Sequence, residues 1–330
     1  MQKPQFTIGI DVSKNTLDIY CSEIKQHRRI SNDTVGFRAF LNFCRTEGID
    51  LHHAFIVLEY TGGYEYKLLQ FCEAKSISYL RIPGLAIKRS LGIVRGKNDK
   101  VDAARIAQYA DEKYKQLDPE KPLNKSILRL KELLGFRKRL VRENAGYKSS
   151  IQERLHMYDL NAKDYFIKTF NKKLKANLKE IEYTEKLISE LIHNDEALLR
   201  NYLLLKSVKG IGKVNAWMTI AYTENFASFT NPRSYAVYVG VIPFDHSSGT
   251  SIKGRKRVCH IANKELKQEL NQAAKSAIQW DKEMRAYAEK KLLNKHYSLV
   301  LNNVKFKLIL RMFAVVKRGE NYVDNYKKAA

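Results

Sequence analysis

The chain has 330 residues, with 59 Lys and Arg against 35 Asp and Glu, a formal net charge of +24 and a sequence pI near 9.7. That length allows two or three domains with cores of their own, and a composition that is 44% hydrophobic and 11% aromatic excludes wholesale disorder. A surplus this large excludes an ordinary metabolic enzyme and points to a polyanionic partner, nucleic acid first. The four cysteines, Cys21, Cys44, Cys72 and Cys259, form no CxxC pair, so neither a disulfide framework nor a zinc knuckle is expected. No apolar run reaches the roughly 18 residues a membrane span needs. The best candidate, residues 299–316, is broken by Asn302, Asn303, Lys305, Lys307 and Arg311 and reads as an amphipathic helix of a cytoplasmic protein.

In chain order, FTIGID (6–11), LDIYC (17–21) and HAFIVLE (53–59) are short, apolar and β-branched and predict strands. Residues 37–45 and 64–74 have helical spacing, and 78–82 predict a further strand before Pro83. This mixture predicts an α/β domain over residues 1–120, its end marked by Pro119 and Pro122. Asp11 ends the first strand, and Glu59 ends the third before the turn Tyr60-Thr61-Gly62-Gly63. Charged side chains just past buried strands on one sheet edge converge, because neighbouring strands lie only about 4.8 Å apart. Asp99 and Asp102, spaced i and i+3, face one side of a helix. Four carboxylates gathered this way repel one another unless a divalent cation neutralises them, and hard oxygen ligands point to Mg²⁺ or Mn²⁺. Two such ions about 3.5 to 4 Å apart can activate a nucleophile and stabilise a leaving oxygen in phosphodiester chemistry. Taken singly, each acid has an ordinary reading: Asp11 as a turn cap, Glu59 as a lysine partner, Asp99 and Asp102 as a solvated first turn.

Residues 121–200 carry apolar side chains at helical intervals, in one set from Ile127 to Leu155 and a second comprising Leu174, Leu178, Ile181, Ile188 and Ile192, whose 4-3 spacing fails only where Glu185 falls on the seam. This segment reads equally as a helical linker and as a coiled coil for oligomerisation or a basic arm along nucleic acid. Residues 201–330 predict a mainly α-helical domain that opens with LLLKSVKGIGKVNA. Gly210 and Gly212 form a turn resembling a helix-hairpin-helix, whose backbone N–H groups can hold a DNA phosphate, with Lys209 and Lys213 adding charge. A plain αα-hairpin is the alternative. Charge is divided along the chain: residues 1–60 hold 7 basic and 7 acidic side chains, residues 191–330 hold 24 and 11. The start is suited to chemistry that needs carboxylates, and the remainder to gripping a polyanion.

The order strand Asp, strand Glu, helix Asp-x-x-Asp resembles the RNase H-like core of RuvC-type resolvases. The stretches GIDVSKNTLDIY, VLEYTGGYEYKL and KNDKVDAARIAQYA are similar to the DEDD-type insertion-sequence transposases, the family that includes Piv-type DNA invertases and bridge-RNA-guided recombinases. Asp11, Glu59, Asp99 and Asp102 match that family's acidic tetrad. The stretch from Ser228, SFTNPRSYAVYVGVIPFDHSSGTSIKGRKRVCHIANKELKQEL, resembles the family's C-terminal transposase domain through Phe229, Arg233, Ala236, Gly240, Pro243, Ser248 and Gly249. The resemblance implies a serine nucleophile, Ser248 with Ser247 as the alternative. His246 and the basic run Lys253, Arg255, Lys256 and Arg257 lie close enough in sequence to assist at a phosphate. Without the resemblance, a serine on a glycine turn in a basic loop reads as a turn residue or phosphate contact.

Thr250, Ser251 and Ile252 depart from the family's glycine-rich continuation, and Ala262 stands where relatives often have glycine. The likeness covers roughly residues 6–110 and 200–320. It implies a Mg²⁺-assisted recombinase that cuts and rejoins donor and target DNA through a serine–DNA link. It also implies a non-coding bridge RNA and a homo-oligomer, dimer or tetramer, in a bacterial or archaeal cytoplasm at the nucleoid. Two other readings stand beside it: a metal-dependent nuclease of the Holliday-junction type that does not rejoin, and a non-catalytic nucleic-acid-binding protein with a decayed core. The presence of all four acids argues against decay.

Overall fold

The computed structural model describes residues 4–90, 98–158, 162–248 and 252–324. The chain divides into two compact units, Met1–Leu123 and Asn124–Ala330.

In the first unit, β1 (Phe6–Val12), β2 (Thr16–Cys21), β3 (Gln26–Ser31), β4 (Ala54–Glu59) and β5 (Ser78–Ile82) form one sheet in the order β3-β2-β1-β4-β5. The first three strands are an antiparallel meander. β4 and β5 join in parallel, after α1 (Thr34–Thr46) and α2 (Tyr66–Ala74) return the chain across the sheet. The period-two alternation sorts side chains between faces. Ile8, Ile10, Leu17, Ile19, Ile56 and Leu58 pack with Phe37 and Phe40 of α1 and Leu68 and Leu69 of α2. On the other face Phe55 and Val57 pack with Ile87 of α3 (Gly84–Ser90) and Ile106 and Ala110 of α4 (Asp99–Lys113). β3 is the strand that sequence periodicity did not predict. Its residues QHRRIS are mostly polar and it forms a sheet edge, where unpaired backbone faces solvent and charge is favoured.

In the second unit, α5 (Lys125–Tyr158) and α6 (Tyr165–His193) form an antiparallel hairpin, about 50 and about 44 Å long at 1.5 Å per residue. Arg137 donates to Glu185 at 2.8 Å, Asn177 donates to Glu143 at 3.1 Å, and the Tyr147 and Phe170 rings stack. Its apolar seam is buried chiefly at the base, where Ile127, Leu130, Leu134, Ile188 and Ile192 join the core of the following helices. Val141, Leu155 and Leu178, which the sequence pattern assigned to the seam, are exposed. Glu185 interrupts the seam for a polar reason: it accepts hydrogen bonds from both Arg137 and Lys213. Burial pushes its carboxyl up, but those hydrogen bonds outweigh burial and hold it below the usual range.

The remaining helices are α7 (Glu196–Ser207), α8 (Lys213–Thr223), α9 (Pro232–Val239), α10 (Lys264–Trp280), α11 (Lys282–Leu292) and α12 (Tyr297–Arg318). α12 contains the interrupted apolar run and is a core helix: Val300, Val304, Leu308, Ile309 and Met312 are fully buried beside Tyr235 of α9. Among the described residues no helix is long and apolar enough to cross a membrane. The expected helical character holds except between α9 and α10. There β6 (Pro243–Ser248) and β7 (Ile252–Val258) form an antiparallel ribbon with an irregularity between Phe244 and His246. The sequence reading gave this segment as a turn and a basic run. The alternation of Ile252, Gly254 and Val258 with basic residues is the strand signal, and charge dilutes it.

Candidate active site

The strand alternation puts Asp11 and Glu59 on the α4 face, because Ile10 and Leu58 beside them point the other way. The antiparallel register sets Asp18 of β2 directly across from Asp11. α4 approaches this face at Gly9. A Cβ there would lie 2.3 Å from the Ala103 carbonyl oxygen and 2.4 Å from the Ala107 nitrogen, so only glycine permits the contact. α4 starts at Asn98, whose side chain accepts from the backbone N–H groups of Lys100 and Val101. Asp99 and Asp102 therefore fall in its first turn, where the helix dipole favours negative charge. Glu59 lies against Gly84, where a Cβ would come within 1.9 Å of its Oε1.

These placements couple the acids. The Asp11 carboxyl is pushed up to about 6, first by burial and then by the negative charges of Asp102, Asp99, Glu59 and Asp18. Asp102 is ion-paired with Arg105 at 2.8 Å, and Arg29 bridges Asp99 at 2.6 Å and Asp18 at 2.9 Å. Among the described residues, no three His, Cys, Asp or Glu side chains are gathered tightly enough to make a finished ligand set. Two of the four expected ligands are turned to arginines instead. The donor set is carboxylate oxygen throughout, with a surplus of negative charge around Asp11. That chemistry fits a hard divalent cation such as Mg²⁺ or Mn²⁺.

Sequence reasoning missed the partners of this cluster. Asp18 is almost wholly buried, accepts from Arg29 at 2.9 Å and pairs with His27 at 2.8 Å. A lone acid inside the apolar run LDIYC was the available signal, and β3, which supplies both partners, was not predicted. Glu65 is fully buried and organises the turn after Glu59, accepting from the Gly63 N–H at 2.8 Å and from the Thr61 hydroxyl.

The basic candidates are distributed differently. Gly210 has φ +94°, and a Cβ there would meet the Ala273 carbonyl oxygen of α10 at 2.7 Å, so this glycine serves both the turn and close helix packing. Gly212 is the N-cap of α8, and no side chain caps it. Lys209 is paired with Asp324, and Lys213 with Glu185 at 2.6 Å, its ammonium also over the Trp217 ring. Ser248 ends β6 opposite Ile252, with Ser247 opposite Lys253. The side chains of Ser247, Ser248, His246, Lys253 and Arg255 lie outside the described residues, as does Gly249. Lys256 pairs with Asp245 at 2.7 Å, and Arg257 is exposed.

Two family models match the chain. Residues 8–158 match the DEDD-type model of the IS110 group, described as Transposase, and residues 202–289 match the model described as Transposase IS116/IS110/IS902 family. No curated protein matches it.

Proposed function

The chain belongs to the DEDD-type IS110 family of transposases, and from that premise we propose that Asp11, Glu59, Asp99 and Asp102 form the metal-binding centre at which it cuts DNA strands. Membership makes it an enzyme acting on DNA, with a nuclease-like domain that depends on a divalent metal. The observation that carries the assignment is the convergence of Asp18, Glu59, Asp99 and Asp102, from two strands and one helix, on the half-buried Asp11, whose carboxyl is pushed up to about 6 by burial and then by these negative charges. The strand order, with an antiparallel meander joined by two parallel strands, supports an RNase H-like, RuvC-like domain over residues 1–120. Residues 121–200 then act as a helical oligomerisation segment and 201–330 as the serine-bearing transposase domain with a helix-hairpin-helix-like turn.

Mg²⁺ or Mn²⁺ held by the four carboxylates would supply charge stabilisation at the attacked phosphate and the leaving oxygen. Ser248, or Ser247 in its place, provides the nucleophile: its oxygen bonds to phosphorus, the bond to the 3′ oxygen breaks, and that oxygen leaves as a 3′ hydroxyl. The proton of the serine passes to a base, for which His246 is close in sequence, and a proton from the protonated base or from water goes to the departing 3′ oxygen. The phosphoserine link keeps the bond energy for rejoining to a second strand. Support for the serine is the likeness of the ribbon segment to the family pattern, and it is independent of the acidic cluster. Lys253, Arg255, Lys256 and Arg257, with the Gly210–Gly212 turn, contact the phosphates, and Lys209 and Lys213, paired with Asp324 and Glu185, add positive charge beside that turn. The same resemblance supports a bridge RNA that supplies sequence specificity by pairing, a dimer or tetramer, and action at the nucleoid in the cytoplasm.

A second reading, a junction nuclease that hydrolyses without rejoining, is favoured by the acidic cluster, which needs no serine to activate water. Ser248→Ala and Ser247→Ala separate the two readings. Loss of an SDS-stable protein–DNA adduct in either variant supports the recombinase. Adduct-free cleavage by the wild-type protein, unchanged in both variants, supports the nuclease.

A further inference from the structure

In the second unit a cavity of about 580 Å³ opens between the base of the β-ribbon, α10 and α12. Its volume falls within the range of about 300 to 1,000 Å³ that small ligands occupy. Lys305 of α12 lines it, is only 4% exposed, and has neither a carboxylate nor a hydrogen-bond partner among the described residues. A buried ammonium without a counter-ion is costly unless something completes it. Burial, and then the charge of Lys267, push its pKa down to about 8, so at neutral pH it remains largely charged. Lys267 lines the same cavity and is half-buried. Asn271 and Ser298 add polar groups, and no acid is among the described lining residues. Ile242, Leu299 and Phe306 supply an apolar wall.

A cationic, acid-free cavity with an apolar wall suits a ligand that is anionic at one end and flat and apolar at the other. We propose that this cavity is a nucleotide subsite, taking one unstacked nucleotide of a nucleic-acid strand with its phosphate on Lys305 and Lys267 and its base against Ile242, Leu299 and Phe306. The proposal rests on the reading that the chain handles nucleic acid, and it deepens that reading. Pro243, Lys256 and Val258 of the cavity belong to the ribbon whose far end carries Ser248. A strand anchored here is therefore held by the same two strands of backbone that present the serine, about 17 Å along β6 at roughly 3.3 Å per residue.

The test is fluorescence anisotropy on the full-length protein in EDTA, with labelled single-stranded DNA, single-stranded RNA of the same sequence, and a blunt duplex. Lys305→Met keeps the buried chain length and removes the charge. It should weaken single-strand binding roughly tenfold and lower the salt slope by about 0.7, leave duplex binding unchanged, and leave the melting temperature at pH 7 no lower than that of the wild type. Lys267→Ala should weaken single-strand binding roughly threefold. Loss on the DNA arm alone assigns the subsite to a DNA strand, and loss on the RNA arm alone to a guide. Unchanged single-strand binding in both variants overturns the subsite while wild-type binding preserves the broader reading. A wild-type protein that binds none of the three probes overturns both. If Lys305→Met fails to fold, Lys267→Ala decides alone, and wild-type affinity there overturns the proposal.

Discussion

The two units handle charge in opposite ways. In the first, a nearly neutral stretch of sequence gathers acids on one sheet face with fewer cations than carboxylates, so charge is left over at Asp11. In the second, the large basic surplus is partly spent within the fold: Lys209, Lys213 and Lys256 already have acidic partners. Lys305, by contrast, is buried in a helix that the sequence marks as amphipathic and has no acidic partner among the described residues. Net charge therefore indicates the class of partner, whereas the availability of each charge is decided by what packs beside it.

The strongest way to break this contrast is at Asp11. Asp11→Asn should lower strand cleavage by at least about 10³-fold in a gel assay, since one ligand of the proposed metal centre is lost. The same substitution should raise the stability of the metal-free protein at pH 7.5. Burial and the neighbouring acids push the folded carboxyl from its ordinary 3.8 up to about 6, so its ionisation penalises the fold fully above about pH 6, and the penalty fades as pH falls towards 4. Thermal melts in EDTA at pH 7.5 and pH 4 check the sign: a variant gain that is equal at both pH values would remove the coupling of the acids. Next in size, Gly9→Ala should destabilise the first unit by about 1–3 kcal/mol, because α4 must move to admit a methyl group. Urea unfolding measures that loss, and residual cleavage should fall with it as Asp99 and Asp102 shift.

Two smaller effects sharpen the other side. Arg29→Met removes a cation from Asp99 and from the buried Asp18 and should lower the divalent-ion concentration needed for half-maximal cleavage by about two- to fivefold, the size expected of the exposed Arg29–Asp99 pair. A higher requirement would show that Arg29 positions Asp99 for the metal. Smallest is Lys213→Ala: with Glu185 already on its ammonium, duplex-DNA affinity should fall by less than about threefold. A fall in the salt slope by about 0.9 would instead mark Lys213 as a full phosphate contact and weaken the contrast.

Much of the first unit was legible in the residues. Runs such as FTIGID and HAFIVLE alternate strongly enough to reveal strands, and a strand-end Asp and Glu on parallel neighbours must share an edge. β3 was not legible, because QHRRIS owes its place to pairing with β2 and to the Asp18–Arg29 ion pair, with Ile30 its one buried apolar side chain. The ribbon that carries Ser248 was hidden for a similar reason, its alternation masked by lysine and arginine.

By itself the sequence determined the strongly apolar strand and helix runs, the residue types of the acidic cluster and the basic balance of the second unit, because periodicity and composition are local properties. Tertiary structure alone decided that Gly9 lets α4 bring Asp99 and Asp102 to Asp11, that Arg29 stands on two of the acids, and that Lys209, Lys213 and Lys256 have acidic partners while Lys305 has none among the described residues. Those outcomes depend on which distant side chains share a few ångströms of space, and Coulomb and desolvation energies change steeply over that distance.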